Sequence, residues 1–172
     1  MTDNDSSHAA GVRACIGLGG NLGDVANTLE HALLALDGLP RTQLLRRSKL
    51  YRTPAWGVTA QPDFINAAAV LSTSLSADDL LAGLLRIERE AGRDRGTQCE
   101  RWGPRALDLD LLLYGDAVIA RPGLSVPHPH LHQRAFVLVP LSEIAADAAV
   151  PGQGRVDALL AAVDAQGIVA LG

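Results

Sequence analysis

Two aspartates stand two residues apart in an otherwise apolar run, ALDLDLLLYG, at residues 106–115. In a β-strand alternate side chains point to opposite faces, so Asp108 and Asp110 should share one face. The other face should then carry Leu107, Leu109, Leu111 and Leu113. Neighbouring carboxylates repel each other and are costly to bury, so we expect a cation beside them. A site with few protein ligands, all of them oxygen atoms, favours Mg²⁺, whose coordination shell is completed by water and phosphate oxygens. The alternative is an edge strand with a solvated acidic face.

Six arginines lead up to this pair: Arg86, Arg89, Arg93, Arg95, Arg101 and Arg105. The first two fall on a predicted helix, where we expect them to be solvated. The others lie in RDRGTQCERWGPR, residues 93–105, which is polar and is predicted to be a mobile loop. Guanidinium groups bind phosphate oxygens in bidentate fashion, and a loop can close them over a polyphosphate. Metal ions and such cations are what phosphoryl transfer requires.

Aromatic residues make up only 3% of the chain, so their positions are informative. Phe64 falls at the start of a predicted strand, and Trp102 falls in the predicted loop. Phe136 follows a histidine-rich segment. Flat heterocycles are bound by ring stacking, and Asn66 shares a strand face with Phe64, where it could recognise polar ring edges. The alternative is that each phenylalanine belongs to the core.

Three histidines stand at every second position in the proline-containing segment VPHPHLHQR, residues 126–134. The spacing of His128, His130 and His132 raises a zinc hypothesis, because an extended segment could bring alternate side chains together. No cysteine or acidic residue stands nearby to complete such a site. The alternatives are an anion-contacting His128 or plain surface histidines.

Hydrophobic periodicity predicts the elements that must position these residues. We predict strands at 12–18, 43–52, 64–75 and 106–115, the second and third paired as a hairpin. Helices are predicted at 25–36, from the N-cap Ser76 to about Ala91, and at about 156–163. The order β-α-β-β-α-β is ferredoxin-like, with a mainly antiparallel sheet and helices on one face. We predict a disordered tail at 1–11 and one domain at 12–172.

Two common nucleotide-binding loops are excluded. Lys49 is the single lysine and follows Ser48, so no Walker loop exists. The run GLGGNLG does not match the dinucleotide fingerprint, and we interpret it as a tight turn that packs a helix on the sheet, with phosphate binding as the alternative.

Length and charge exclude several classes of protein. With 172 residues, of which 48% are hydrophobic, the chain suits one compact domain, and its net charge of -4 argues against a nucleic-acid or anionic-membrane binder. No run is apolar enough to span a bilayer, and the acidic start is unlike a secretory signal. We therefore expect a cytoplasmic monomer with small-molecule partners, in which Cys15 and Cys99 stay reduced.

The run RWGPRALDLDLLLYG, residues 101–115, closely resembles the signature of the 6-hydroxymethyl-7,8-dihydropterin pyrophosphokinase family. Other segments look like family segments in family order: IGLGGNLGD, YRTPAWG, QPDFINAA, RIEREAGR and VPHPHLHQRAFVLVPL. The resemblance covers most of residues 14–145. It implies transfer of diphosphate from ATP to the pterin hydroxymethyl group, with release of AMP, as a step of folate biosynthesis.

The resemblance also implies roles for particular residues. Asp108 and Asp110 would hold two Mg²⁺ ions, and the implied catalytic residues are Arg93, Arg105, Asp108 and Asp110. The implied pterin site comprises Thr53, Pro54, Trp56, Phe64, Asn66, Trp102 and Phe136. The implied ATP site comprises Glu88, Arg95, Arg105, His128 and Arg134.

Some positions differ from the family pattern, and two other functions share parts of it. Leu85, Gly123 and Pro129 replace residues that are polar, basic or aromatic in some relatives, so nucleotide contacts are expected to differ there. The Asp-x-Asp pair also suits a metal-dependent nucleotidyl- or glycosyltransferase. The element order is shared with RNA-binding modules, although the acidic charge and the missing aromatic pair on a central strand argue against that class.

Overall fold

A computed structural model describes residues 11–54, 62–92 and 106–171. The longer strands are β1 (Val12–Gly20), β2 (Thr42–Arg47), β3 (Leu50–Thr53), β4 (Phe64–Thr73) and β5 (Asp108–Tyr114). The shorter ones are β6 (Ile119–Arg121), β7 (Leu124–Val126), β8 (Ala149–Val150), β9 (Gly154–Arg155) and β10 (Val169–Leu171). The helices are α1 (Val25–Asp37), α2 (Ala77–Ala91), α3 (Ala135–Ala145) and α4 (Val156–Ala161), with a short 3₁₀ helix at Leu131–Gln133.

The main sheet has the strand order β10-β3-β4-β1-β5, and β2 also pairs with β4. Each of these pairs is antiparallel. Both β2 and β3 pair with β4, so the predicted hairpin is confirmed. The α+β fold with a mainly antiparallel sheet is confirmed as well.

Helices cover both faces of the sheet, whereas the sequence predicted them on one. Helices α1 and α2 pack on the face that carries Ile16, Ala69 and Leu71. Helices α3 and α4 pack on the face that carries Cys15 and Val70. The physical reason lies in β4, FINAAAVLST, which is apolar at successive positions and so has two faces to bury.

The strand predicted at 43–52 is broken at Ser48. Arg47 lies opposite Ala69 and Tyr51 lies opposite Asn66, so one extra residue is accommodated on the β2–β3 side. Buried Ser48 donates its backbone N–H to the Ala68 carbonyl and accepts the Ala68 N–H on Oγ, both at 2.9 Å. A serine side chain that replaces a backbone acceptor ends the regular ladder here.

A second irregularity changes the predicted faces of β5. Ile16 pairs with Leu111 and Cys15 pairs with Leu113, so Leu112 is an extra residue. Beyond it the alternation is reversed, and Leu113 packs with Cys15 in the α3 layer rather than with Leu109. The prediction that Leu113 shares a face with Leu109 is therefore wrong, because a bulge shifts the pleat by one residue.

The helix starts follow capping rules. Asp24 caps α1 by accepting the Asn27 N–H, and Ser76 caps α2 by accepting the Asp79 N–H. Cys15 is a buried free thiol whose pKa burial raises to about 12, while Cys99 lies outside the described residues. Within the described ranges, no helix combines the length and apolar character that crossing a bilayer requires. The proposed tail falls mostly in residues 1–10, which are also outside them.

Candidate active site

Four residues form a row across four adjacent strands. Asp108 on β5 pairs with Gly19 on β1, Gly19 pairs with Asn66 on β4, and Asn66 pairs with Tyr51 on β3. Neighbouring strands lie about 4.8 Å apart, so Asp108 is about 10 Å from Asn66 at the backbone. The row therefore holds a carboxylate and an amide at a distance that a small substrate can span.

The two aspartates point away from the α1/α2 layer. Leu109 and Leu111 are buried in that layer, and Asp108 and Asp110 alternate with them and are partly exposed. The predicted shared face is confirmed for this part of β5. It is the same sheet face as that of Asn66, beyond the part that α3 covers.

Gly19 makes room for Asn66. A Cβ atom at Gly19 would collide with the Asn66 Oδ1 atom. Gly19 thus lies within β1 as a notch for a neighbouring side chain, which is a recognised use of glycine in strands. The interpretation of GLGGNLG as a turn is wrong for this part, since β1 continues to Gly20 and the turn begins only afterwards.

Asn66 is fixed by a second polar residue. Its Nδ2 donates to Thr53 Oγ1 at 2.8 Å, and both side chains are buried. Phe64 is half-buried and lies opposite Thr53 in the ladder, and Pro54 is exposed beside it. The structure therefore brings together four of the predicted pterin residues at the junction of β3 and β4.

A second wall comes from the segment before α3. His128 donates its backbone N–H to the Leu112 carbonyl on β5 at 2.9 Å. The Arg134 guanidinium carbon lies 5.6 Å from the centre of the Phe136 ring, within cation–π range. Arg134 and Phe136, predicted separately for ATP and pterin, are thus neighbours at the start of α3.

His128 is held in its neutral form. Burial, together with the nearby charges of Arg134 and His130, lowers its pKa to about 4. Its Nδ1 atom accepts the His130 backbone N–H at 3.2 Å, which leaves the ring proton on Nε2. His128 can therefore serve as a neutral hydrogen-bond donor to an anion through Nε2 at pH 7.

Glu88 supports the strand that carries the aspartates. Its Oε2 atom accepts the backbone N–H of Leu109 at 2.7 Å, between Asp108 and Asp110. This contact anchors the start of β5, an edge strand of the sheet, to the last turns of α2. Its predicted role toward the nucleotide stays a prediction.

The donor set of this face fits magnesium. Two carboxylates on one strand leave most positions of an octahedral ion to water and phosphate oxygens, which is how Mg²⁺ is usually bound. Among the described residues, no group of three or more His, Cys, Asp or Glu side chains could hold a metal ion. The zinc hypothesis for His128, His130 and His132 therefore finds no support in this part of the chain.

Comparison with known proteins decides the family. The model of the family 7,8-dihydro-6-hydroxymethylpterin-pyrophosphokinase (HPPK) matches residues 15–146. The chain belongs to the HPPK family. The resemblance inferred from the Asp108–Asp110 run is confirmed, and the nucleotidyltransferase, glycosyltransferase and RNA-binding alternatives are not favoured.

Three curated HPPK relatives match over most of their length. The Pseudomonas aeruginosa protein named 2-amino-4-hydroxy-6-hydroxymethyldihydropteridine pyrophosphokinase is 44% identical over 156 residues, 91% of this chain and 94% of its own. A protein of the same name from Methylorubrum extorquens is 44% identical and is covered to 96%. One from Haemophilus influenzae is 45% identical over 140 residues, 81% of this chain and 86% of its own.

Solved structures share the HPPK fold at low identity. A Plasmodium falciparum HPPK-DHPS A437G structure with SDX-DHP superposes with a TM-score of 0.70 at 15% identity, over 91% of this chain. An HPPK-DHPS complex with substrates gives 0.68 at 12% identity, over 88% of this chain. The chain spans less than half the length of those solved chains, at 46% and 43%.

Several HPPK-like residues predicted from the sequence lie outside the described residues: Trp56, Arg93, Arg95, Trp102 and Arg105. Arg101, the remaining arginine of the predicted loop, lies outside them as well. Their roles stay predictions. The described part of the site is formed by the sheet face and the start of α3.

Sequence reasoning missed two residues of the candidate site. Gly19 was assigned to a turn, although glycines at positions 17 and 19 alternate with Ile16 and Leu18, a pattern typical of a strand face left open to a neighbour. Asn21 is buried at 4% exposure and donates Nδ2 to the Pro62 carbonyl at 3.0 Å. This hydrogen bond connects the end of β1 to the segment that leads into Phe64. No sequence pattern predicts it.

Proposed function

We propose that the chain transfers the diphosphate group of ATP to the hydroxymethyl oxygen of 6-hydroxymethyl-7,8-dihydropterin and releases AMP. Membership of the HPPK family and the names of the curated relatives support this activity. The observation that carries it in the structure is the row in which Asp108 and Asn66 share one sheet face, two strands apart. Asp108 can then act on the phosphates of ATP while Asn66 binds the ring of the pterin.

The pterin binds at the Asn66 end of the row. The Asn66 amide oxygen is directed toward Gly19, and its Nδ2 is engaged with Thr53, so the amide orientation is fixed before substrate arrives. A preformed amide can match the donors and acceptors of a pterin edge without an ordering cost. Phe64 and Phe136 supply ring faces for stacking.

The phosphates bind at the aspartate end. Asp108 and Asp110 would hold the Mg²⁺ that neutralises phosphate charge and makes the β-phosphorus more electrophilic. The predicted number of ions is two. Neutral His128 donates through Nε2, and Arg134 contributes a permanent positive charge near Phe136.

The reaction exchanges one phosphorus–oxygen bond for another. The pterin hydroxymethyl oxygen attacks the β-phosphorus in line, and the bond from that phosphorus to the oxygen bridging to the α-phosphate breaks. AMP leaves with the bridging oxygen, and the hydroxyl proton passes to solvent or to a phosphate oxygen. The protein contributes alignment and charge neutralisation, which are the main sources of catalysis in this chemistry.

An AMP assay tests the proposal. The protein is incubated with Mg²⁺, ATP and reduced hydroxymethylpterin, and AMP and the pterin diphosphate are quantified by ion-exchange chromatography. We expect AMP only when the pterin is present, in equal amount to the diphosphate product. AMP without pterin, or ADP as the product, would contradict diphosphate transfer and point to another ATP-using reaction.

Three further properties stay predictions: a monomer, a cytoplasmic location, and a single domain at 12–172 after the tail. Light scattering of the purified chain, with and without substrates, measures the first. A mass twice that of the chain would contradict it.

A further inference from the structure

Helix α3 carries the proposed ring-stacking residue at one end and a single charged residue at the other. Its sequence is AFVLVPLSEIA, in which Glu143 is the one charged side chain. Glu143 follows Phe136 by seven residues, nearly two full turns, so both lie on the same stripe of the helix. A contact at Glu143 therefore bears on the position of Phe136.

The Glu143 carboxylate binds two donors from the sheet. Its Oε1 atom accepts the Tyr51 hydroxyl at 2.7 Å and the Lys49 backbone N–H at 3.0 Å. Burial and the Glu143 hydrogen bond raise the Tyr51 pKa to about 12, so the hydroxyl keeps its proton throughout the neutral range. Charge-assisted hydrogen bonds of this kind are stronger than neutral ones.

The bulge at Ser48 makes the second donor available. Ser48 takes over the pairing with Ala68 through its N–H and its Oγ atom. The N–H of Lys49 then leaves the ladder and is directed to Glu143. The break between β2 and β3 is thus used to dock α3, in keeping with the placement of bulges beside active sites.

Tyr51 connects this docking point to the pterin end of the row. It is the direct ladder partner of Asn66, and residues paired in this way lie about 5 Å apart at Cβ. The same tyrosine therefore neighbours the residue that recognises the ring edge and anchors the helix that carries Phe136. A shift of α3 over β3 would change the spacing between Phe136 and Asn66.

We propose that Tyr51 and Glu143 are positioning residues that set Phe136 over the pterin site and thereby control pterin affinity. The inference rests on the proposed function. Neither side chain is assigned a contact with substrate. Their effect is transmitted through α3 to the ring-binding end of the site, so the ATP end should be spared.

Tyr51→Phe is the primary test, because it removes one hydroxyl and keeps the ring. The KM for pterin should rise about three- to tenfold, which corresponds to the net contribution of one typical hydrogen bond, while kcat and the KM for ATP change less than about twofold. Glu143→Ala should produce the same pattern. Glu143→Gln keeps an acceptor oxygen and should recover most of the wild-type KM.

Tyr114→Phe is the matched control, because the chain has two tyrosines. The Tyr114 hydroxyl donates to the Leu75 carbonyl at 2.5 Å, and its ring packs with the α1/α2 layer. This variant should lower Tm and leave the pterin KM unchanged. Pterin fluorescence titration of all variants, with Mg²⁺ and a non-hydrolysable ATP analogue, gives the same comparison without turnover.

The outcomes separate the two proposals. No AMP from the wild-type chain would overturn the proposed function and the positioning role with it. AMP from the wild type, with pterin KM and Kd unchanged in both Tyr51→Phe and Glu143→Ala, would overturn the positioning role alone. Equal effects of Tyr51→Phe and Tyr114→Phe on pterin KM would also overturn it, since that would indicate a general loss of stability.

Discussion

The two faces of the central sheet differ in how they are used. On the face under α1 and α2, the strands present one continuous apolar surface that includes Ile16, Leu109 and Leu71. On the opposite face, α3 covers an apolar half around Cys15 and Val70, and the other half presents aspartates, glycine and asparagine. The candidate site therefore lies on the half of the sheet that no helix of the described residues covers.

This difference indicates a division within single strands between residues that stabilise the fold and residues that form the candidate site. From Asp108 to Leu111 on β5, residues that present a carboxylate alternate with residues that are buried in the α1/α2 layer. Substitutions on the two faces should therefore separate into those that change stability and those that change activity. Neighbouring residues offer the sharpest pairs for testing this division.

The largest contrast is expected between Asp110→Ala and Leu109→Ala. Asp110→Ala should reduce AMP formation at least about a hundredfold and leave Tm nearly unchanged, because it removes a proposed metal ligand from a partly exposed position. Leu109 is only 4% exposed, so Leu109→Ala should lower the free energy of unfolding by about 2–5 kcal/mol. The kcat per folded molecule should be retained. Calorimetry and AMP assays measure both. Near-normal turnover of Asp110→Ala would refute the division.

A second contrast compares two glycines. In Gly19→Ala the new methyl group displaces Asn66 from its notch, so pterin affinity should fall about tenfold or more. Gly83 faces the α1/α2 layer, where an added Cβ would lie 3.0 Å from Leu39 Cδ2. Gly83→Ala should change stability by about 1 kcal/mol or less, in either direction, without changing pterin affinity. Pterin titration and thermal melts distinguish them, and equal pterin affinity in the two variants would count against the notch.

A smaller effect is expected at the start of α2. Ser76 accepts the Asp79 N–H at 3.0 Å, so Ser76→Ala should cost about 1 kcal/mol, or roughly 2–4 °C in Tm. Both KM values should stay within error of the wild type. A rise in the KM for ATP would show that α2, through Glu88, acts on the site rather than only on the fold.

The last prediction concerns His128 and pH. Its pKa is lowered to about 4 in the folded chain from an ordinary 6.5, so between these values the unfolded chain binds more protons. The stability that the neutral ring contributes is complete above about pH 6.5 and is lost as pH falls toward 4. The Tm of the wild type should therefore drop more steeply than that of His128→Gln from pH 7 to pH 5. Parallel pH profiles would contradict the neutral, half-buried histidine.

The parts of the fold that follow from local pattern were predictable. Alternation in β5 predicts the shared face of Asp108 and Asp110, and capping residues locate the starts of α1 and α2. Strand alternation fails after Leu111, because the bulge at Leu112 depends on pairing with β1 rather than on the β5 sequence. The same holds for Ser48, whose side chain replaces a backbone acceptor only once β4 lies alongside.

Long-range relations in the site were beyond sequence reasoning. AFVLVPLSEIA is apolar almost throughout, so periodicity does not indicate which surface it covers. Its position became evident only from Glu143, which meets Tyr51 from 92 positions away. The notch at Gly19 is likewise a relation between two strands, and a single strand sequence does not reveal it.

The most direct test of the central claim is a crystal structure of the chain with Mg²⁺, a non-hydrolysable ATP analogue and hydroxymethylpterin. We predict magnesium bound to the carboxylates of Asp108 and Asp110, and the pterin ring at Asn66 on the same sheet face. Carboxylates without metal, with the nucleotide bound elsewhere on the chain, would contradict the account.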